Sequence, residues 1–283
     1  MLGAIIGDMV GSVYEFSNSK TKNFNIYNRN MKMTDDSLLT IAVAKTLLAN
    51  YPIKYDDESL RRIQEELAEE FVATCKSKPF AGFGGMFIDW CIRCDEKRTI
   101  APPYNSFGNG SAMRISPVGW IAKSKEEVKT LSKAVTEITH NHPEGLKGAE
   151  AVAMCIYLAL HGSSKEEIKE RMIKDYYPEI TDLHFDDLVE NYKFFAICQK
   201  SVPQAIYCFL ISNSLEDAIR NCIAIGGDCD TTAAMAGSIA EAFYNKDKLS
   251  EFEDKFLYLM IDPEVEQLVK HFHKKIGSRK FND

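Results

Sequence analysis

The chain has 283 residues, of which 45% are hydrophobic and 27% charged, and its net charge is −7 at pH 7. This is an ordinary globular composition, long enough for one large core or two small ones. The acidic balance and the lack of long Lys/Arg runs argue against general nucleic-acid binding and against an anionic-membrane surface.

The N-terminal segment is apolar, but it lacks a basic stretch and Asp8 interrupts it early, so no signal peptide is expected. No apolar run reaches about 18 residues, and no transmembrane helix is expected. Eight cysteines are scattered through apolar patterns, which is typical of reduced thiols in a cytoplasmic protein. Cys91 and Cys94 form a single pair, better explained as neighbours on a helix than as a zinc site. We expect a monomer.

Residues 3–16 repeat Gly3, Gly7 and Gly11 at four-residue spacing. On a helix these glycines form a smooth face that another backbone can approach closely. Asp8 lies within this apolar segment, and Glu15 follows it by seven residues, which predicts that both acids lie on one side of the helix. A close-packed helix with a polar end would give the same pattern.

Residues 17–33 are polar and irregular and predict an exposed loop. A helix is expected from Thr34 to Leu48, with Thr34 as N-cap and Asp35 and Asp36 in the first turn. Capping alone is sufficient to explain these three residues, because threonine and acidic side chains favour helix N-termini.

Residues 56–76 predict an amphipathic helix that serves as scaffold. Residues 80–95 predict a glycine-rich turn followed by an aromatic helix. Residues 96–107 contain Pro102 and Pro103 and predict a loop within the domain.

The string from Gly108 to Ser111, Gly-Asn-Gly-Ser, precedes an apolar segment that is expected to be helical. Free backbone N–H groups at the positive end of a helix dipole form a site for phosphate or another anion. An ordinary turn before a helix has the same composition, and the segment alone does not separate the two. Arg114 supplies a positive charge in either interpretation.

An amphipathic helix is expected over residues 125–139, and a buried helix begins at Pro143 and ends at Leu160. The junction between them contains His140 and His142. A structural role for the histidines, a ligand-stacking role and metal binding remain alternatives at this point, although their spacing suits a metal poorly.

Residues 163–200 are polar and predict a surface excursion with short helices. Apolar-faced helices are expected over 201–212 and 214–225, and two more near 248–260 and 264–276. Strand-like alternation is scarce, so the pattern predicts about ten helices in one all-α domain spanning residues 1–283.

The stretch from Ile225 to Phe243 contains two glycines, then Asp228, Asp230 and Thr231, and then an apolar helix. The oxygens of these three residues are hard ligands that suit Mg²⁺, Mn²⁺ or Ca²⁺. Cys229 is expected to point away from the metal. Helix capping is the alternative here too, but two helix starts of the same chemistry and an acid-bearing glycine-rich helix indicate oxygen ligands that converge.

Five motifs together resemble those of the ADP-ribosylglycohydrolase family, the group that includes dinitrogenase-reductase-activating glycohydrolase and the ADP-ribosyl-acceptor hydrolases. The resemblance runs from about Gly3 to Phe243. The motifs are, in order, Gly7-Asp8-x-x-Gly11-x-x-x-Glu15, Thr34-Asp35-Asp36-Ser37, Gly108-Asn109-Gly110-Ser111-Ala112-Met113-Arg114, Thr139-His140 and Gly227-Asp228-Cys229-Asp230-Thr231-Thr232.

The resemblance implies an orthogonal helical bundle with a centre of two metal ions, Mg²⁺ or Mn²⁺, that cleaves ADP-ribose from an acceptor. It implies a catalytic role for Asp35, Asp36 and Glu15. The implied substrate-binding residues are Gly108, Asn109, Gly110, Ser111 and Met113 around the diphosphate, and His140 beside the adenosine. The implied metal ligands are Thr34, Asp35, Asp36, Asp228, Asp230 and Thr231.

Two alternatives stay open at the level of sequence. One is a non-catalytic ADP-ribose-binding or structural relative on the same bundle. The other is a phosphatase of the haloacid dehalogenase type, in which Asp228 to Thr232 form the nucleophile loop and Ile223 to Ile225 a preceding strand. The acceptor is also open: arginine, serine, a nucleic-acid end, O-acetyl-ADP-ribose and a small nucleoside all fit.

Overall fold

The computed structural model describes residues 1–278, and that part of the chain contains helices and loops but no β-strand. The all-α fold class is therefore confirmed. The α-helices are α1 Leu2–Gly11, α2 Asp35–Ala49, α3 Asp57–Ser77, α4 Gly85–Lys97, α5 Ser116–Ile121, α6 Lys125–Glu137, α7 Pro143–Leu160, α8 Lys165–Asp175, α9 Phe185–Asn191, α10 Cys198–Leu210, α11 Leu215–Ile225, α12 Cys229–Tyr244, α13 Glu251–Met260 and α14 Pro263–Ile276. Two 3₁₀ helices cover Asn109–Ser111 and Pro178–Asp182.

The helix count in residues 1–278 exceeds the expected ten, chiefly because short helices subdivide the polar and loop regions. The last residues of the expected domain, 279–283, lie outside the described part of the chain. The phosphatase alternative is wrong, because Ile223 to Ile225 form the last turn of α11 rather than a strand. Within residues 1–278, no helix combines the length and the apolar character that crossing a bilayer requires.

All eight cysteines are free thiols, as the sequence predicted. Cys91 and Cys94 are both buried on α4 and belong to no metal-binding cluster within the described residues. Cys229 Sγ lies 3.7 Å from the carbonyl oxygen of Gly11 and points into the core. None of these sulfur atoms therefore takes part in the acidic cluster described below.

Helix α12 is the central element of the core, and its residues from Cys229 to Ala242 are all buried. It packs against α1, α7, α10 and α11. Helix α1 is also buried along its whole length. The first and the twelfth helices thus pack side by side, so that the N-terminal and C-terminal acidic motifs meet, as the sequence predicted.

The close packing of α1 on α12 depends on the glycines of α1. A Cβ atom built at Gly7 would lie 2.7 Å from the amide nitrogen of Ala234 and closer still to the carbonyl of Ala233. One built at Gly11 would lie 2.8 Å from Cβ of Asp230 and closer to its backbone. The glycine face therefore sets how near Asp8 and Asp230 can come to each other.

Two local expectations are wrong. Helix α1 ends at Gly11, and Glu15 lies in the following turn, where its amide donates to the Gly11 carbonyl at 3.0 Å. Glu15 therefore does not share a helix face with Asp8. The Gly108–Ser111 segment also does not begin a continuous helix, since its 3₁₀ turn is separate from α5, which begins at Ser116 after Arg114.

We expect Gly7→Ala to destabilise the protein by at least about 3 kcal/mol, because the new methyl group has no space against the α12 backbone. The intrinsic gain in helix propensity from Gly to Ala, about 1 kcal/mol, is too small to offset this cost. Urea unfolding in EDTA measures the difference without any contribution from bound metal.

Gly85→Ala is the matched control. Gly85 begins α4, and a Cβ atom built there meets nothing within 4 Å. This variant should be as stable as the wild type or slightly more so. Equal stability of Gly7→Ala and Gly85→Ala would contradict the role given to the glycine face.

Candidate active site and metal centre

Six carboxyl groups from three parts of the chain form a cluster, and all of them except Asp8 line one end of a cavity. Asp8 comes from α1, and Glu15 from the turn after it. The others lie at two helix starts: Asp35 and Asp36 begin α2, and Asp228 and Asp230 begin α12. Carboxylate oxygens of Asp8, Asp36 and Asp230 lie within 4.8 Å of one another, and so do those of Glu15, Asp228 and Asp230. Asp230 belongs to both groups and joins the two halves of the site.

Asp8 is fully buried, and both of its oxygens accept hydrogen bonds from the start of α2. It accepts from the Thr34 amide at 2.9 Å, from the Thr34 hydroxyl at 2.6 Å and from the Ser37 amide at 3.1 Å. The Ser37 hydroxyl donates to it as well. Asp8 therefore fixes the position of the α2 N-terminus, and it takes the proton of the Thr34 hydroxyl.

The two acidic helix starts differ in how their residues cap. At α2 the Thr34 hydroxyl accepts from the Asp36 amide, which is ordinary capping. At α12 Asp228 occupies the N-cap position, yet its side chain makes no capping hydrogen bond. Instead Asp228 accepts from Asn109 Nδ2 at 2.6 Å. The capping alternative thus accounts for Thr34 but not for Asp228.

The link from Asn109 to Asp228 joins two motifs that are 119 residues apart. Sequence reasoning placed Asn109 at the substrate and missed this bond. No local pattern could have revealed it, because it depends on the pairing of residues 107–109 with 196–198. In that pairing the Asn109 amide donates to the Ala196 carbonyl at 3.1 Å, and the Cys198 amide donates to the Phe107 carbonyl at 3.0 Å.

The turn before Asp228 is held by the loop that follows Glu15. Gly226 and Gly227 have φ values of 72° and 74°, a region that glycine adopts without strain. The Gly227 amide donates to Asn18 Oδ1. Lys20 Nζ donates to the carbonyl oxygens of Ile225 at 2.7 Å and Tyr192 at 3.0 Å. The loop that was expected to be exposed is therefore anchored at this point to the turn that precedes Asp228.

In the absence of metal, the carboxyl groups of the cluster have raised pKa values and so favour their protonated forms. Burial raises the pKa of Glu15 to about 7, with a further rise from Asp228. Burial also raises the pKa of Asp35 to about 7, with added repulsion from Asp8. The pKa values of Asp36 and Asp230 lie well above the usual range for the same two reasons, burial first and neighbouring carboxylates second.

The donor set fits hard divalent cations. Asp36 Oδ1 is buried and has no hydrogen-bond partner among the described residues. Nearby oxygens come from carboxylates and from threonine hydroxyls, which Mg²⁺ and Mn²⁺ prefer over nitrogen or sulfur ligands. Like charges buried this close together require a cation or protons, so the cluster is built to hold positive charge.

The cavity next to the cluster has a volume of about 670 Å³, which is the size of a small-molecule site. Its wall also includes Gly108, Asn109, Gly110, Met113 and His140, and Asn109 joins this wall to the acidic end through Asp228. Its mouth carries apolar side chains, of which Phe16 and Phe80 are 86% and 95% exposed. The cavity is thus acidic at one end and polar along its wall, with an apolar entrance.

Most of the expected substrate-binding residues face this cavity, but the Ser111 side chain does not. Ser111 is fully buried, and its hydroxyl donates to the carbonyl oxygens of Gly145 at 2.9 Å and Gly108 at 3.1 Å. The Gly108 amide is also occupied, since it donates to Ser106 Oγ at 3.0 Å. The Ser111 side chain therefore stabilises the turn on the side away from the cavity.

Known proteins resemble this chain in sequence. Residues 1–280 match the family model described as ADP-ribosylglycohydrolase. The chain is 26% identical to the mouse protein named ADP-ribosylhydrolase ARH3, over 89% of this chain and 84% of that protein. It is 23% identical to the ADP-ribosyl-[dinitrogen reductase] glycohydrolase of Rhodospirillum rubrum, over 95% and 92%.

The fold also matches a solved structure titled ADP-ribosylglycohydrolase-related protein complex. The TM-score is 0.61 at 17% sequence identity, and the match covers 98% of this chain and 94% of that one. This likeness supports the all-helical fold.

The raised pKa of Asp35 predicts how stability depends on pH without metal. The folded state favours the protonated form of Asp35. The stabilisation that this group contributes is therefore fully present below its ordinary pKa of 3.8 and is lost as pH rises through about 7. Asp35→Asn cannot ionise. We expect it to gain stability relative to the wild type as pH is raised from about 4 to about 8, in urea unfolding with EDTA.

Asp89→Asn, at an exposed position on α4, is the control and should show no such trend. Adding Mg²⁺ or Mn²⁺ to the wild type at the higher pH should restore the lost stability. A difference between Asp35→Asn and wild type that stays constant across this range would refute the proposed burial of negative charge.

Proposed function

This chain belongs to the ADP-ribosylglycohydrolase family, and from that premise we propose that it hydrolyses the glycosidic bond between ADP-ribose and an acceptor with the help of two Mg²⁺ or Mn²⁺ ions. The observation that carries the proposal is the shared cavity. One end presents carboxylates of Glu15, Asp36 and Asp230, and the adjoining wall presents the Gly108–Gly110 turn and His140.

The residues proposed to hold the cations are Thr34, Asp35, Asp36, Asp228, Asp230 and Thr231. Asp230 is the residue that both carboxylate groups share. Asp8 is not included, because its oxygens already accept from Thr34 and Ser37. The Thr34 hydroxyl donates its proton to Asp8 and uses one lone pair to accept from the Asp36 amide, so its other lone pair is free for a cation.

Bound cations of this kind supply Lewis-acid polarisation of substrate oxygens and lower the pKa of water. The protein's own contribution is positioning and proton transfer. Cleavage at the anomeric carbon develops positive charge on the ribose, which the surrounding carboxylates stabilise electrostatically. An acidic site therefore suits the transition state of this reaction.

We propose that Asp35 or Asp36 orients the attacking water and accepts its proton. Before any cation binds, burial and repulsion from Asp8 raise the pKa of Asp35 to about 7; a bound cation would lower that pKa and favour the carboxylate, which is the form that accepts a proton from water. Glu15 is half-buried, and burial raises its pKa to about 7 as well. We propose that it assists the substrate or controls access to the second cation. Its position in the turn after α1 gives it more freedom than a helical residue.

The diphosphate of the substrate is assigned to the turn from Gly108 to Met113. An acidic protein needs local donors for such a ligand, and a backbone amide provides one without adding charge. The amides of Gly108, Asn109, Ala112 and Met113 already donate within the protein, so the donor proposed in this turn is the Gly110 amide. Lys32 also lines the cavity and brings positive charge to its wall. The phosphates would thus lie along this wall, with the ribose toward the carboxylates and the acceptor at the apolar mouth.

The direct test is release of free ADP-ribose from a panel of ADP-ribosylated acceptors: arginine, serine, a nucleic-acid end and O-acetyl-ADP-ribose. We expect release with Mg²⁺ or Mn²⁺ and none in EDTA. Asp230→Ala should lose metal binding and at least roughly a thousandfold in kcat/KM, because it removes the ligand that joins the two carboxylate groups.

Asp254→Ala, at an exposed position on α13, is the matched control and should act as the wild type does. Normal turnover by Asp230→Ala would defeat the scheme. Tight binding of ADP-ribose without release from any acceptor would instead identify a non-catalytic relative.

A further inference from the structure

Arg114 is a buried cation that no carboxylate contacts directly within the described residues. It is 1% exposed and precedes α5. Its guanidinium stands 4.6 Å from the centre of the Phe71 ring and 5.9 Å from that of Phe87. Nε and Nη1 have no hydrogen-bond partner there. A buried charge without an anion is costly, so the position of Arg114 calls for an explanation.

The hydrogen bond that Arg114 makes leads to the cavity. Arg114 Nη2 donates to Thr139 Oγ1 at 2.7 Å. Thr139 Oγ1 in turn lies 2.9 Å from Nδ1 of His140. The other ring nitrogen, His140 Nε2, lies over the Gly108–Gly110 turn, 3.3 Å from where a Cβ at Gly110 would sit. A chain of three residues therefore connects a buried cation to the cavity wall.

The direction of the bond between Thr139 and His140 follows from counting donors and acceptors. The Thr139 hydroxyl has one proton and two lone pairs, and Arg114 uses one lone pair. Its proton can go to His140 Nδ1 at 2.9 Å or to the Thr136 carbonyl at 3.3 Å. That carbonyl already accepts from the amides of Thr139 and His140, at 3.2 and 2.9 Å, which fills its two lone pairs.

The opposite direction is disfavoured by charge as well. If Nδ1 carried the proton, an imidazole N–H and the Arg114 guanidinium would both point at one oxygen. The Tyr104 hydroxyl lies near the Thr139 side chain but has no hydrogen-bond partner among the described residues, so it does not compete for the Thr139 proton. Burial, with Arg114 second, lowers the pKa of His140, so the ring is neutral and a single tautomer has to be chosen.

We infer that Arg114 and Thr139 are positioning residues that hold His140 as the Nε2–H tautomer, so that the cavity wall above the Gly108–Gly110 turn presents a neutral donor to an acceptor atom of the ligand. Neither residue touches the reacting bond. Their effect on a ligand is exerted through His140 alone.

The tautomer can be observed directly by long-range ¹H–¹⁵N NMR of protein labelled with ¹⁵N-histidine, in Mg²⁺ buffer without substrate. The His140 signals are assigned by their loss in His140→Asn. The chain supplies two internal references. His142 Nδ1 accepts from the Glu144 amide at 3.1 Å, which requires Nε2–H, and His161 Nδ1 lies 2.8 Å from the Tyr157 carbonyl oxygen, which requires Nδ1–H.

We expect His140 to show the pattern of His142 in the wild type. Thr139→Val should abolish this preference, because the valine has no proton to give. Arg114→Met should weaken it, and Arg114→Lys, which keeps a donor and the charge, should retain it. Thr46→Val, at a buried threonine of α2 whose hydroxyl donates to the Ala42 carbonyl, is the matched control and should leave His140 unchanged.

A His140 signal of the Nδ1–H type in the wild type would overturn the inference, and so would an unchanged tautomer in Thr139→Val. An unchanged tautomer in folded Arg114→Met would remove Arg114 from the relay. If that variant does not fold, the result for Thr139→Val decides. These outcomes do not depend on what the protein hydrolyses.

A second measurement rests on the proposed function. Thr139→Val should bind ADP-ribose roughly five- to tenfold more weakly than the wild type, the usual loss for one hydrogen bond. Equal affinity combined with a changed tautomer would show that the ligand does not use His140 Nε2–H. Failure of the wild type to bind ADP-ribose would count against the proposed function and leave the tautomer result standing.

Discussion

The arrangement of the site depends on the backbone contact between α1 and α12. Gly7 and Gly11 leave no side chain between the two helices, so Asp8 and Asp230 can take part in one cluster. Small residues at such a crossing permit an approach that any larger side chain would prevent. The rest of the fold builds on this contact, because α12 also packs on α7, α10 and α11 and so fixes its own N-terminus within the core.

Holding six carboxyl groups together has an electrostatic cost, and the structure meets it in different ways at different residues. Asp8 is stabilised by four hydrogen bonds from Thr34 and Ser37. Asp228 receives one from Asn109. Asp36 keeps a buried oxygen without any partner in the described chain. Burial, followed by repulsion from Asp8, raises its pKa. This unequal distribution separates the residues that support the site from those left available to a cation.

The walls of the cavity are tied together across long sequence distances. The loop after Glu15 holds the Gly226–Gly227 turn through Asn18 and Lys20, and residues 107–109 pair with 196–198. Through Asn109 the second of these links also reaches Asp228. The acidic end of the cavity and the Gly108–Gly110 turn are therefore linked through Asn109, and a shift in the position of one is expected to move the other.

The sequence by itself determined the all-helical class, most helix positions and the two acidic helix starts, because periodicity and capping are local properties. It also indicated the smooth glycine face of α1. Only the tertiary structure decided that Glu15 leaves the helix, that Asp8 supports Thr34, that the Ser111 hydroxyl turns away from the cavity, and that Asn109 bonds to Asp228. Each of these depends on groups that are distant along the chain. A local sequence pattern shows which side chains can form a hydrogen bond, but not which of them are brought next to a partner by folding.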